Sequence, residues 1–252
     1  MKHRLFVASE RLRPGPLRLE RDQFRYLVRV LRLRPGDSLM LFDGEGKETV
    51  ATVAEVDRAL AKVVLHVAEP PAAKTTASPR SLLWLICSVL KGERMSLVVQ
   101  KATELGVGRI TPVFTERSIP QTDPGKASER VERWRRISRE ASRQCGRADT
   151  PRIDEIAPLR EAARAVPADA WKVILFEGAT ESLLRNALPI ALPPPAIAVV
   201  AIGPEGGFGP DDLAVARDTG FTVAGLGATI LRAETAALAT LAILGFSFGD
   251  LG

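Results

Sequence analysis

Beyond residue 80 the chain alternates short apolar runs of β type with helical patterns, and this rhythm constrains the fold more than any other feature. The β-type runs are Leu82–Leu90, Arg109–Phe114, Val173–Phe176, Ala196–Ile202 and Phe221–Gly225. Between and after them lie Arg94–Leu105, Lys126–Gly146, Pro158–Ala165, Pro210–Thr219 and Glu234–Phe246, all of helical type. Strands separated by helices imply a mostly parallel sheet covered on both faces. Before residue 70 the rhythm differs. There the runs Arg4–Ala8, Ser38–Phe42, Thr49–Val56 and Lys62–Val67 follow one another across turn signals, interrupted by one helical stretch at Asp22–Leu31. That pattern predicts a small β-barrel domain over residues 1–70. Residues 71–80 lie in a Pro-, Ala- and Thr-rich stretch without periodicity and read as a linker, which leaves 81–252 for the α/β domain.

Composition excludes several classes. A hydrophobic fraction of 46% and a charged fraction of 26% suit a globular protein with a full core. No apolar run reaches the roughly 18 residues of a membrane span, and the charged N-terminus lacks the apolar stretch of a signal peptide. The expectation is a cytoplasmic protein with no membrane partner. Cys87 and Cys145 form neither a disulfide framework nor a ligand cluster, so both are expected as buried, reduced thiols. His3 and His66 stand beside β-type runs with no ligating neighbours, and no metal is expected.

Charge is gathered rather than spread. Residues 1–34 hold ten Lys or Arg against three Asp or Glu, and residues 126–147 hold eight against three. Such blocks are the usual footprint of a polyanion; a solvated basic face is the competing reading. Projected at 100° per residue, Val131, Trp134, Ile137, Ala141 and Cys145 share one side of the helix at 126–147. Arg136, Arg139, Arg143 and Arg147 share the other, with Glu132 and Glu140 among them. An i,i+4 pair such as Glu132–Arg136 neutralises part of this row; the remainder suits phosphate contact, whose strength depends steeply on salt.

Two glycine-marked segments, 201–209 and 225–238, each follow a β-type run and lead into a helix. Ligands of open α/β sheets bind where strands end at their carboxyl edge, so the two segments read as one cradle made largely of backbone. Gly203, Gly206, Gly207 and Gly209 fit neither G-x-G-x-x-G nor the P-loop spacing. A plain strand-to-helix turn is the bland alternative for the first segment. In the second, Gly225 and Gly227 bracket an apolar residue before Ile230-Leu231-Arg232, a composition that suits the flat face of a base. Glu234 has a local reason to stand near a helix start, whereas Arg232 has fewer.

In these residues and others along the chain, the sequence resembles the RsmE-type methyltransferases of the SPOUT superfamily. The likeness runs through Arg29-Val-Leu-Arg-Leu-Arg-Pro-Gly-Asp37, Lys91-Gly-Glu-Arg-Met95 and Gln100-Lys-Ala-Thr-Glu-Leu-Gly-Val107. It continues through Thr115-Glu-Arg-Ser118, Glu140-Ala-Ser-Arg-Gln-Cys-Gly-Arg147, Ile202-Gly-Pro-Glu-Gly-Gly-Phe208 and Ile230-Leu-Arg-Ala-Glu-Thr-Ala236. The resemblance implies a PUA-like RNA-binding barrel followed by a parallel α/β domain with a C-terminal trefoil knot, assembled as a homodimer. It also implies S-adenosylmethionine as cofactor and methylation of uridine N3 in small-subunit ribosomal RNA.

By position, the cofactor contacts would come from Leu175, Phe176, Glu177, Gly178, Ile202, Gly203, Pro204, Glu205, Gly206, Gly207, Leu226, Gly227, Ile230 and Leu231. RNA contacts would come from Arg29, Arg32, Arg117, Arg136, Arg139, Arg143 and Arg147. Where the family usually has Arg before Ile-Leu-Arg, this chain has Thr229, so Arg232 is the candidate for catalysis, with Glu234 as candidate proton acceptor. A SPOUT enzyme acting on transfer RNA, a non-catalytic RNA-binding module and a nucleotide-dependent doubly wound enzyme are the alternatives.

Overall fold

The computed structural model describes residues 3–69, 82–118, 124–189, 194–248 and 251. The chain divides into two compact units, Met1–Ala77 with Ser142–Thr150, and Ser78–Ala141 with Pro151–Gly252. Sequence boundaries put residues 142–150 in the C-terminal domain, whereas their contacts group them with the N-terminal unit. The expected linker at 71–80 lies outside the described residues.

The first unit begins with β1 (Arg4–Phe6), β2 (Gly15–Glu20) and the single turn α1 (Arg21–Phe24), which continues as a π-helical turn, Arg25–Val30. β3 (Ser38–Phe42), β4 (Glu48–Asp57) and β5 (Lys62–Val67) follow. They pair in the order β1-β3-β4-β5-β2, parallel between β1 and β3 and antiparallel elsewhere. Alternate residues, such as Leu17 and Leu19, Leu39 and Leu41, and Val63 and Leu65, point to one buried face, as the two-residue strand period requires. Sequence periodicity misses β2 because Pro16 interrupts its start. Proline is tolerated there because β2 is the end strand of the sheet path. The paired path has β1 and β2 at its ends; a barrel closure is not among its pairings.

The second unit contains β6 (Leu82–Ser88), α2 (Arg94–Glu104), β7 (Arg109–Phe114) and the first part of α3 (Pro124–Cys145). Then come β8 (Arg152–Ile153), β9 (Ala157–Pro158), α4 (Leu159–Arg164), β10 (Trp171–Leu175) and α5 (Leu184–Ala187). β11 (Ile197–Ile202), α6 (Pro210–Asp218), β12 (Thr222–Ala224) and α7 (Ala233–Ser247) complete it. The strands form one parallel sheet in the order β12-β10-β11-β6-β7-β8, with β9 also on β7. Its central strands are apolar on both sides. In β6, Leu83, Leu85 and Cys87 face a core shared with α2, α3 and α7, while Trp84 and Ile86 face one shared with α4 and α6. A sheet covered on two faces therefore carries continuous apolar runs rather than alternation.

Candidate active site

Three strand ends lie side by side. Leu175 of β10 is in register with Ile202 of β11 on one flank and Ala224 of β12 on the other. The segments that leave these three strands enclose a cavity of about 540 Å³, within the span of small-molecule sites. From the first exit it takes Leu175, Phe176 and Glu177; from the second, Ile202, Gly203, Pro204, Glu205 and Gly207. The third exit supplies Leu226, Gly227, Ile230, Leu231 and Arg232, with Thr229 among them. The two glycine segments and the turn after β10 are thus one site, as the strand-end argument requires. Gly178 and Gly206, also expected there, are not on its wall. Gly178 sits against the Phe176 ring, and the Gly206 carbonyl accepts a hydrogen bond from Arg117 Nη1 at 3.2 Å.

Glycine is required for different reasons at two of these positions. Gly207 has φ +71°, and a Cβ there would run into the Glu177 carboxylate. Gly225, at the exit of β12, has no strained φ, but a Cβ would collide with the carbonyl of Ala179. Its N–H donates to the Ser182 carbonyl at 2.7 Å and its own carbonyl accepts from Leu184 N–H at 2.8 Å. The chain after β12 is therefore bonded against the chain after β10.

Charge around the cavity is ordered by Arg94, the first residue of α2, which sequence reasoning assigned no role. Its Nη1 lies 2.9 Å from Glu205 Oε1, and the same oxygen accepts the Lys91 N–H at 3.0 Å. Burial raises the proton affinity of Glu205, but its own backbone N–H, the Lys91 N–H and the Arg94 guanidinium together outweigh this and hold the carboxyl below its ordinary value. Arg94 Nε is also 3.9 Å from Glu234 Oε1. Glu234 stands behind the cavity wall rather than on it, and its buried Oε2 has no hydrogen-bond partner. Arg232 is the N-cap residue of α7 and is exposed, and among the described residues it makes no ion pair. At the end of β6, burial and the Glu205 charge push the Cys87 thiol up to about 12, which removes it as a nucleophile.

An RNA methyltransferase domain matches residues 77–245, and an RNA methyltransferase PUA domain matches residues 19–65. A ribosomal RNA small subunit methyltransferase E from Mycobacterium bovis is 30% identical over 230 residues, 89% of this chain and 84% of the relative. The chain belongs to the ribosomal RNA small subunit methyltransferase E family. The enzyme of that name from Neisseria gonorrhoeae, crystallised bound to S-adenosyl methionine, has 31% identity and a TM-score of 0.83, with 97% of both chains covered. A Legionella pneumophila methyltransferase in complex with the same cofactor has 32% identity and a TM-score of 0.84, again with 97% of both chains covered.

For a member of this RNA methyltransferase family the placement of its arginines matters, and the structure divides the expected row. α3 ends at Cys145, because Gly146 takes φ +87° and its N–H and that of Arg147 both turn back to the Ser142 carbonyl. Arg147 therefore lies beyond the helix, where it pairs with Asp149 at 2.6 Å and offers its carbonyl to Arg4. Arg143 lies over the Tyr26 ring, 4.7 Å from its centroid, and donates to the Tyr26 hydroxyl. Both belong to the first unit, whereas Arg136 and Arg139 belong to the second. The expected Glu132–Arg136 pair is replaced by Glu132–Arg135 at 2.6 Å, one residue closer, with Arg135 also reaching Glu155. Cys145, expected to be buried, is exposed at the helix end. Arg117 stands beside the glycine loop through Gly206, and Arg29 and Arg32 are exposed in the first unit. Among the described residues no group of three His, Cys, Asp or Glu is placed to hold a metal ion, and no helix is long and apolar enough to cross a membrane.

Proposed function

We propose that this protein transfers a methyl group from S-adenosylmethionine to N3 of a uridine in 16S, small-subunit, ribosomal RNA. The observation that carries the reading is the three-exit cavity with Arg232, free of any ion pair among the described residues, on its wall. The cavity suits the cofactor: its volume is that of a small-molecule site, and Leu175, Phe176, Ile202, Leu226 and Leu231 give it apolar surface for a nucleoside. Gly207, whose Cβ would crowd the Glu177 side chain, lets the loop backbone lie close. When bound, the cofactor supplies an electrophilic methyl group.

The protein's own residues supply alignment and electrostatics. Uridine N3 lies on the Watson–Crick edge, so the base must be unpaired or extruded to reach the site. As its N3 proton leaves, negative charge gathers on the uracil carbonyl oxygens. Arg232 meets that charge, and no carboxylate among the described residues competes for its guanidinium. Glu234, with one carboxylate oxygen lacking a partner, takes the proton; because it stands behind the wall, a water relays it.

Arg117, beside the glycine loop, and Arg29, Arg32, Arg136, Arg139, Arg143 and Arg147 place the RNA backbone. Arg143 and Arg147 do so from positions already fixed by Tyr26 and Asp149. The PUA-like domain spans 1–70 and the methyltransferase domain 81–252, of which residues 142–150 group by their contacts with the N-terminal unit. Membership of the family supports a C-terminal trefoil knot in the methyltransferase domain. A homodimer is supported by the packed pair α2 and α7, which leaves Leu97, Ile243 and Phe246 exposed, the last at 73%. The protein works in the cytoplasm, where its substrate is assembled.

The test is to incubate the protein with labelled cofactor and unmodified small ribosomal subunits, then analyse nucleosides by mass spectrometry. Formation of 3-methyluridine is expected; its absence, with the cofactor bound, would overturn the assignment.

A further inference from the structure

Two carboxylates line the cavity, and their surroundings differ. Glu205 is held by Arg94 and by the Lys91 N–H, so its charge is matched. Glu177, in the first exit, is exposed, lies against the left-handed Gly207, and has no hydrogen bond or ion pair among the described residues. The two lining arginines leave it that way. Arg94 faces Glu205 and Glu234, and Arg232 makes no ion pair with it. The cavity therefore presents one unmatched negative charge, on the lip formed by the first and second exits.

We propose that Glu177 is a specificity-determining residue that makes the site prefer a cationic sulfonium ligand over its neutral thioether counterpart. This inference rests on the cofactor reading above. S-adenosylmethionine and S-adenosylhomocysteine share the adenosine, the amino group and the carboxylate. They differ by one methyl group and the positive charge on sulfur, so any pull of the Glu177 carboxylate on the shared amino group or ribose is common to both ligands, and only its pull on the sulfonium separates them. The consequence is directional: after the methyl group leaves, the ligand loses its attraction to Glu177, and the product is held less tightly than the substrate it came from. Product that binds as well as substrate would inhibit the next turnover.

Calorimetric titration of the whole protein with each ligand tests this without relying on turnover. At moderate salt the Glu177→Gln variant is expected to bind S-adenosylmethionine about 3- to 10-fold more weakly, the size of a single solvent-exposed charge interaction. Its affinity for S-adenosylhomocysteine should change by less than about 2-fold. Glu177→Asp, which keeps the charge on a shorter arm, should recover part of the ratio. An unchanged ratio in Glu177→Gln, or equal weakening of both ligands, would overturn the role of Glu177 while leaving the cofactor reading intact. If the wild-type protein binds neither ligand, the cofactor reading itself falls, and this inference with it.

Discussion

Arg232→Ala separates chemistry from folding more cleanly than any other substitution at the site. The side chain is exposed and makes no ion pair among the described residues, so its removal deletes no internal contact that burial has made expensive. Its backbone has φ −63° and ψ 151°, which alanine adopts freely, and its carbonyl still accepts the Ala236 N–H at 2.8 Å. Arg232 also caps the N-terminal end of α7, where a cation opposes the helix dipole at a cost of about 0.3–1 kcal/mol. The sign follows: the variant should melt at the same temperature as the wild type or a degree or two above it. Turnover should move the other way. Removing one preorganised donor from a developing oxyanion costs about 2.7–4 kcal/mol, and at about 1.36 kcal/mol per decade this is a loss of roughly two to three orders of magnitude in rate. The assay is single-turnover methyl transfer to unmodified small subunits at saturating cofactor, alongside calorimetric cofactor affinity and a melting curve. Cofactor affinity should stay within about 3-fold, since the charge is needed only as the oxyanion forms. Near wild-type turnover would refute the role of Arg232, and a fall in melting temperature of more than about 4 °C would show that the side chain supports the fold instead.

Gly225→Ala should destabilise the protein by about 1–3 kcal/mol, because its Cβ meets the rigid Ala179 carbonyl; differential scanning calorimetry should show a melting point lower by roughly 2–10 °C, and no shift would contradict the packing at that exit. Glu205 has a folded carboxyl held below its ordinary value near 4.5, so its stabilisation is present above that pH and is lost as pH falls through the depressed value. Stability curves of wild type and Glu205→Gln should therefore differ at pH 6 and converge in acid, and parallel curves would dismiss the Arg94–Glu205 contact as a source of stability. Thiol titration at pH 8 should find one reactive cysteine, the exposed Cys145, in the native protein and both after unfolding; rapid native reaction of Cys87 would contradict its burial.

Much of the fold could be read from the chain because its central strands are apolar on both faces, so that β7 at Arg109–Phe114 coincides with its apolar run residue for residue. Short elements were illegible for physical reasons. β8 and β9 have two residues each and exist only because β7 offers them a partner. β2 is masked by Pro16, and the π-helical turn at Arg25–Val30 carries the same periodic residues as an α-helix. The helical line of arginines stops short of Arg147 at a signal that was present in the sequence. Gly146 ends α3 in a left-handed conformation, and this swings Arg147 off the helical line.

At the site, the glycine segments were legible because strand ends and glycines are local features. The charges between them were not. Arg94 and Glu205 are 111 residues apart and meet only because β6 lies next to β11, with Cys87 beside Ile202. Local patterns indicate that an element exists but not which element stands beside it, and strand order is set by crossovers that leave little trace in periodicity. Catalytic charge depends on that order. Which carboxylate is neutralised and which stays open to a ligand is decided by the neighbouring strand, so Glu205 and Glu177, alike as residues, part company only once β6 delivers Arg94 to one of them.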